Sequence, residues 1–353
     1  MASTWQYMPI LKWKRGEQDA LRYLDDEHWK ELLPLLELMP ISAAPEVAAL
    51  TAALPVYSAH VAAQLTKSIP ATTPLAIDSI YVSTGFTRQI GLLLQICKQV
   101  RKHVDHQIIP VFRARWLDML PTLSPALTQQ LQAFPELILR LRTDELEAAQ
   151  VAPSLQALAD FVGHRNIHLV IDQFSLVDRQ HADCLAAVTP YLAAAVALSC
   201  ASVTLAGGSF PINLTGKKAG ATDLPRVEMK IWNHVRKDPI FADLRYGDYA
   251  VTNPVPMEED IDPTKMNPSI AIRYASDDFW RLYKGRGFKK GPAGELRGLC
   301  QLLVTDPIYG GKTYSYGDSQ YMAYSLGSDK NGIPWTWRRD ATNRHIVHTI
   351  KTV

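Results

Sequence analysis

A chain of 353 residues, 47% of them hydrophobic, can bury a large core, which argues against disorder and suits one large barrel domain or two ordinary ones. A charged fraction of 20%, a net charge of +2 and a pI near 8.2 give no global field that would demand nucleic acid or an anionic membrane, so charge argues only locally. The four cysteines, Cys97, Cys184, Cys200 and Cys300, lie far apart with no metal-ligand spacing, and residues 1–10 lack a basic stretch leading into an apolar run; reduced thiols and a cytoplasmic location are expected.

Short apolar runs alternate with helical periods along most of the chain. The predicted order is strand 7–12, helix 16–24, strand 33–38, helix 44–65, strand 75–82, helix 87–104, strand 108–113, helix 124–133 and strand 137–141. Helix 143–162, strand 168–171, helix 175–198, strand 202–205 and helix 227–237 follow, with an eighth strand at 250–252 or 269–274. Ser124-Pro125 and Thr143, the latter with Asp144 and Glu145 behind it, carry helix-start signals. The apolar stretch 185–198 is broken by Pro190 and too short to cross a bilayer, so no membrane association is expected.

This βα alternation predicts an α/β fold, and a (β/α)8 TIM-like barrel accounts for it better than an open doubly wound sheet. Polar residues recur just after the strands, where a barrel would gather them on one rim. The barrel is expected over 1–275, with 276–353 as a loop-rich, aromatic extension packed on it; 253–268 reads as a solvated excursion and 310–332 as loop.

Several constellations bear on chemistry. Lys12, Lys14 and Glu17 follow the first strand and lead into a helix, so they read either as an anion site or as a salt-bridged turn. Arg113 and Arg115 alternate at a strand end, and Arg142 ends the next strand; forked guanidinium groups suit phosphate, although pairing with Asp78 or Asp172 would also occupy them. Asp172 with Gln173, Asp78 and Glu37 are strand-end residues, and the three acids are candidate catalytic carboxylates for a divalent ion or, alternatively, structural partners. Gly207-Gly208-Ser209 could admit a phosphate or make a plain turn. Arg273-Tyr274 and then residues 279–290 interleave cations with aromatic rings, a pattern shared by nucleic-acid surfaces and by a helix packing Phe279, Leu282 and Tyr283. His345 and His348 lack a third ligand, so a closing helix docked through Ile346 and Ile350 is expected instead of a metal site; no cofactor motif occurs.

Tyr7-Met8-Pro9-Ile10-Leu11-Lys12-Trp13-Lys14 with Gly16-Glu17, then Leu33-Pro34-Leu35-Leu36-Glu37, resembles the opening of the beta-protein family. Tyr246-Gly247-Asp248-Tyr249, Tyr316-Gly317-Asp318 and the run from Trp337-Arg338 to Arg344-His345-Ile346 resemble its C-terminal pattern, so the likeness spans nearly the whole chain. Such proteins occur in phages, satellite phages and bacterial defence islands, and the namesake restrains a co-encoded killing protein. The resemblance implies a phage-defence or toxin-antitoxin-like component that restrains a co-encoded toxin or defence protein, or a sensor; together with Lys14, Arg113, Arg115 and Arg142 at the rim, it leads to the expectation that an anionic, phage-derived or nucleotide ligand triggers release. It brings no catalytic residues to carry over. The rival expectation is a metal-dependent phosphodiesterase or nuclease built on Glu37, Asp78 and Asp172; a third is nucleic-acid binding through 281–290.

Overall fold

The computed structural model describes residues 5–40, 47–82, 89–163, 166–196, 198, 200–255, 269–287, 294–327 and 332–353. Eight parallel strands close a barrel: β1 (Tyr7–Lys12), β2 (Leu35–Glu37), β3 (Leu75–Asp78), β4 (Ile108–Arg113), β5 (Leu137–Arg142), β6 (Ile167–Ser175), β7 (Ser202–Gly208) and β9 (Arg245–Asp248). Helices α1 (Arg15–Arg22), α2 (Val47–Ser68), α3 (Gln89–Val100), α4 (Pro125–Gln132), α5 (Val151–Val162), α6 (His181–Val196) and α7 (Val227–Val235) alternate with them, and α10 (Pro334–Thr352) packs beside α1. This is a (β/α)8 TIM-like barrel, as the alternation predicts. Among the described residues no helix is long and apolar enough to cross a membrane.

The period of two along each strand explains the interior. Met8 and Ile10, Leu33 and Leu35, Ala76, Ile109 and Val111, Ile138, and Val170 fill the lumen with apolar side chains. Two residues beyond, with the same parity, stand Lys12, Glu37, Asp78, Arg113, Arg140 and Asp172, all buried. The opposite parity (Tyr7, Leu11, Leu36, Ile77, Phe112, Leu139, Ile171) joins the core between strands and helices.

A second sheet, ordered β10-β11-β8 and antiparallel, is made by β8 (Gly220–Pro225), β10 (Ser269–Ala275) and β11 (Phe279–Gly287). β8 comes from between β7 and α7, and β10 and β11 flank residue 276 as a hairpin. Ile272, Tyr274 and Tyr283 pack under α8 (Glu295–Thr305) and α9 (Tyr316–Leu326), whereas Trp280, Leu282 and Ala271 pack with Phe210 and Val251.

Several predicted boundaries change. The eighth barrel strand is Arg245–Asp248, neither 250–252 nor 269–274, because Tyr246 and Asp248 face outward to buried polar partners that an apolar-run criterion overlooks. Thr143 starts no helix: Asp144 and Glu145 are taken by Arg142, and α5 begins at Val151. β6 runs on to Ser175, so α6 starts at His181. Within 310–332, Ser315 caps α9 by accepting the Asp318 N–H at 3.0 Å, and Gly327 ends it with φ of 71°. Phe279, Leu282 and Tyr283 lie on a strand, so their helical spacing is coincidental. Ser124 and Pro125 do begin α4. The expected helix starts at 44 and 87, most of the excursion at 253–268, and Phe288, Lys289 and Lys290 lie outside the described residues.

Candidate functional site

The carboxyl ends of the strands deliver six charged side chains to the top of the lumen. Arg140 is their hub: its Nη1 donates to Glu37 Oε1 and Asp78 Oδ2, both at 2.9 Å, while its Nε and Nη2 reach Asp172 Oδ2 at 3.0 and 2.8 Å. Arg113 donates to the same Asp78 oxygen at 3.1 and 2.6 Å. Tyr249, just past β9, accepts from Arg140 and donates to Asp172 at 2.6 Å. Burial alone would raise the Asp172 carboxyl, but Arg140, the Tyr249 hydroxyl and the Phe174 N–H hold it below the ordinary range. Burial pushes the Tyr249 hydroxyl well up, so it stays protonated and able to donate.

Two guanidinium groups, Arg113 and Arg140, thus face three carboxylates, Glu37, Asp78 and Asp172, in a buried layer that Lys12 completes. Buried charges persist when paired and hydrogen-bonded; the two arginines pair with the three acids, while among the described residues Glu37 Oε2 has no hydrogen-bond partner and Lys12 no ion pair. The three candidate catalytic carboxylates do converge. Guanidinium groups supply the positive charge that a divalent ion would bring, and among the described residues no three His, Cys, Asp or Glu side chains are arranged to hold a metal.

Above Lys12 opens a cavity of about 400 Å³. Among the described residues five basic side chains line it, Lys12, Lys14, Arg15, Arg273 and Arg338, against one carboxylate, Glu17. Its walls come from distant parts of the chain: the start of α1, the segment after β9, β10, and the first turn of α10. Gly16 permits this meeting, since a Cβ there would lie 2.8 Å from Arg338 Cγ and 3.1 Å from the Trp335 carbonyl oxygen. Arg15 lies 3.8 Å from the Trp335 ring centre. Arg338 reaches Glu17 at only 3.6 Å, and Arg273 donates to the Val251 carbonyl at 2.8 Å without an ion-pair partner among the described residues. Burial, with Arg338 adding repulsion, works against the Arg273 charge, and burial pushes the Glu17 carboxyl up. Among the described residues the lining therefore carries more positive charge than its one carboxylate offsets.

The remaining sequence candidates fall elsewhere. The chain turns into a 3-10 helix at Ala114, so Arg115 leaves the strand alternation and pairs with Glu145 at 3.7 Å. Arg142 takes Asp144 and Glu145 and lies over the Phe174 ring at 3.5 Å. These two cations are tied to acids at the lip and do not share a site with Arg113. Ser209 donates to the Pro225 carbonyl and accepts from Val227 N–H, and a Cβ on Gly207 or Gly208 would strike Leu176 or Pro254, so this turn serves chain packing. Gln173 is buried with its Nε2 unpartnered. On β11, Arg281 pairs with Asp223 and Asp306, and Lys284 donates to the carbonyls of Leu214 and Lys217, so these two cations are engaged within the chain, while Arg286 is exposed.

Sequence reasoning missed Arg140 and Tyr249 as members of the site. Arg140 had a usable signal: it shares the lumen parity of Ile138, and an arginine within an apolar strand requires a buried carboxylate. Arg273 was read with the basic-aromatic stretch and Arg338 with the C-terminal run, and only the fold brings the two to Lys12.

Outside the barrel wall lies a second polar cluster. Asp248 accepts from the Tyr7 hydroxyl at 2.6 Å and the Tyr246 hydroxyl at 3.1 Å, with His345 Nε2 at 2.7 Å and Arg226 at 3.6 Å. The Trp280 ring stacks on His345, with centres 4.8 Å apart. Asp318 accepts from the Tyr274 hydroxyl at 2.7 Å and from Ser315 at 2.6 Å, with Arg344 at 3.9 Å. The two Tyr-Gly-Asp segments thus anchor consecutive residues of α10.

No curated protein matches the chain. A solved structure described as "QR15, an Aldolase" aligns with a TM-score of 0.35 and 9% identity over 72% of this chain and 93% of that one, a likeness too distant to bear on chemistry. The Beta protein family model matches residues 7–351, a span that takes in the opening segment, both Tyr-Gly-Asp segments and α10. The chain belongs to the Beta protein family.

Proposed function

We propose that the protein works by binding: an anionic ligand occupies the cavity at the barrel mouth, and occupancy governs its hold on a co-encoded toxic or defence protein. The observation that carries the first half is the lining, among the described residues, of five basic side chains against one carboxylate in a cavity of about 400 Å³. Arginine forks recognise phosphate and carboxylate bidentately, and Arg273 and Arg338 lie on different elements, so a bound anion would bridge β10 and α10. Membership of the family, whose namesake restrains a killing protein, supports the second half.

Calorimetric titration with inorganic phosphate, pyrophosphate and nucleotides tests the first half. Binding is expected to weaken about tenfold or more in Arg338→Ala and Arg273→Ala and to fall steeply with salt. Absence of binding by every anion tried would end the reading. For the second half, co-expression with the neighbouring gene should relieve that gene's toxicity; toxicity and partner recovery indifferent to this protein would remove it.

A further inference from the structure

The cavity floor is a lysine whose surroundings suit an amine better than an ammonium. Lys12 Nζ is buried and donates to two carbonyl oxygens, of Asn253 at 2.8 Å and Pro254 at 3.0 Å. It forms no ion pair among the described residues. Two acceptors match the two hydrogens of a neutral amine, and the remaining tetrahedral position then holds a lone pair. Among the described residues an ammonium would carry a third hydrogen with no oxygen or nitrogen acceptor, the Tyr249 ring centre lying 5.7 Å from Nζ. Burial pulls Lys12 below the usual lysine range, opposed by Glu37 and Glu17.

Resting on the anion reading above, we propose that the cavity captures anions that bear an aldehyde or ketone group, with Lys12 forming a reversible imine to the carbonyl carbon while Arg273 and Arg338 hold the charged end. The geometry supplies each part. Lys12 and the two guanidinium groups line one space, which is large enough for a small phosphorylated or carboxylated molecule. Glu17 lines the same space, and burial favours its protonated form.

The step balances without an added oxidant or reductant. The Lys12 lone pair attacks the carbonyl carbon as the C=O π pair moves to oxygen, which takes the Glu17 proton. The nitrogen loses a proton to the Glu17 carboxylate, giving a neutral carbinolamine. Loss of the hydroxyl with that returned proton, as water, leaves a C=N bond. The second amine hydrogen leaves to solvent if the imine is neutral or stays if it is protonated.

The test uses the full chain and pyridoxal phosphate, an aldehyde carrying a phosphate, trapped with cyanoborohydride and mapped by peptide fragmentation, which separates Lys12 from Lys14. One adduct per chain on Lys12 is expected, suppressed by excess inorganic phosphate, lost in Lys12→Met and weakened about tenfold in Arg338→Ala. Pyridoxal, lacking the phosphate, should label Lys12 far more slowly. Adducts spread over surface lysines and unchanged in Lys12→Met would overturn the inference. Should Lys12→Met fail to fold, the labelled position in the unmodified chain decides alone. Phosphate binding by calorimetry without a Lys12 adduct overturns the capture and leaves the anion reading standing; absence of both overturns both.

Discussion

His345 Nε2 on α10 lies 2.7 Å from Asp248 Oδ2 at the end of β9, and both side chains are fully enclosed. Against the effect of burial, His345, Arg226 and the Tyr7 hydroxyl hold the Asp248 carboxyl at about 2, so it is ionised through the physiological range. Asp248→Asn removes that charge from the middle of four donors and leaves Arg226 without its nearer carboxylate. A loss of about 3–5 kcal/mol is expected in urea unfolding. Tyr7→Phe, which removes one hydroxyl, should cost about 1–2 kcal/mol.

Glu228 titrates in the opposite sense. Burial pushes its carboxyl up to about 7, with Arg226 at 3.9 Å opposing. The folded chain therefore binds more protons than the unfolded one between roughly pH 4.5 and 7. This group's contribution is complete below that window and declines as pH rises through it, by about 3 kcal/mol in order of magnitude. Urea midpoints measured from pH 5 to 8 should fall in the wild-type chain more than in Glu228→Gln.

Arg140 bridges Glu37, Asp78 and Asp172, and replacing it with Met would leave buried carboxylates short of their counterion. Unfolding measurements should show a loss of about 3–5 kcal/mol. Lysine will not restore it, because one ammonium cannot reproduce the fork that spans three acids.

Two glycine substitutions should differ widely. A Cβ on Gly317 would sit 2.1 Å from the Asp340 carbonyl oxygen, so Gly317→Ala forces α9 away from α10 and should lower stability by about 3 kcal/mol or more. Gly163 has a positive φ of 77° but open space around it, so Gly163→Ala should cost about 1 kcal/mol. Thermal unfolding of the pair checks both.

Glu17 is the one carboxylate lining the cavity among the described residues, so Glu17→Gln should tighten phosphate binding several-fold at neutral pH, where the ionised fraction repels the ligand. Calorimetry at neutral pH reads the change directly.

The barrel was legible because strands and helices alternate with clear periods, and the same parity rule carries the charged layer: position 12 follows 8 and 10, as 37 follows 33 and 35. Lys12, Lys14 and Glu17 were readable as a strand-end cluster for that reason. Arg115 was misread because Ala114 begins a 3-10 turn that packs Trp116 against Phe112 and Gln89, a tertiary cause with no local mark. Arg142 stood in for Arg140 because the search looked past the strand for charge and not within it. Arg273, Trp335 and Arg338 come to the cavity from β10 and α10, more than 250 residues from Lys12, where only the closed fold supplies the neighbour.

The place of α10 makes it a clasp. Asn343 ties back to the carbonyls of Ala20 and Tyr23 through 3.0 and 3.1 Å hydrogen bonds, while His345 two residues on holds Asp248, to which the Tyr7 hydroxyl also donates. One helix thus fastens α1 and the β1–β9 seam together, and fraying of α10 would loosen both at once, so hydrogen exchange at the three should open as a single unit.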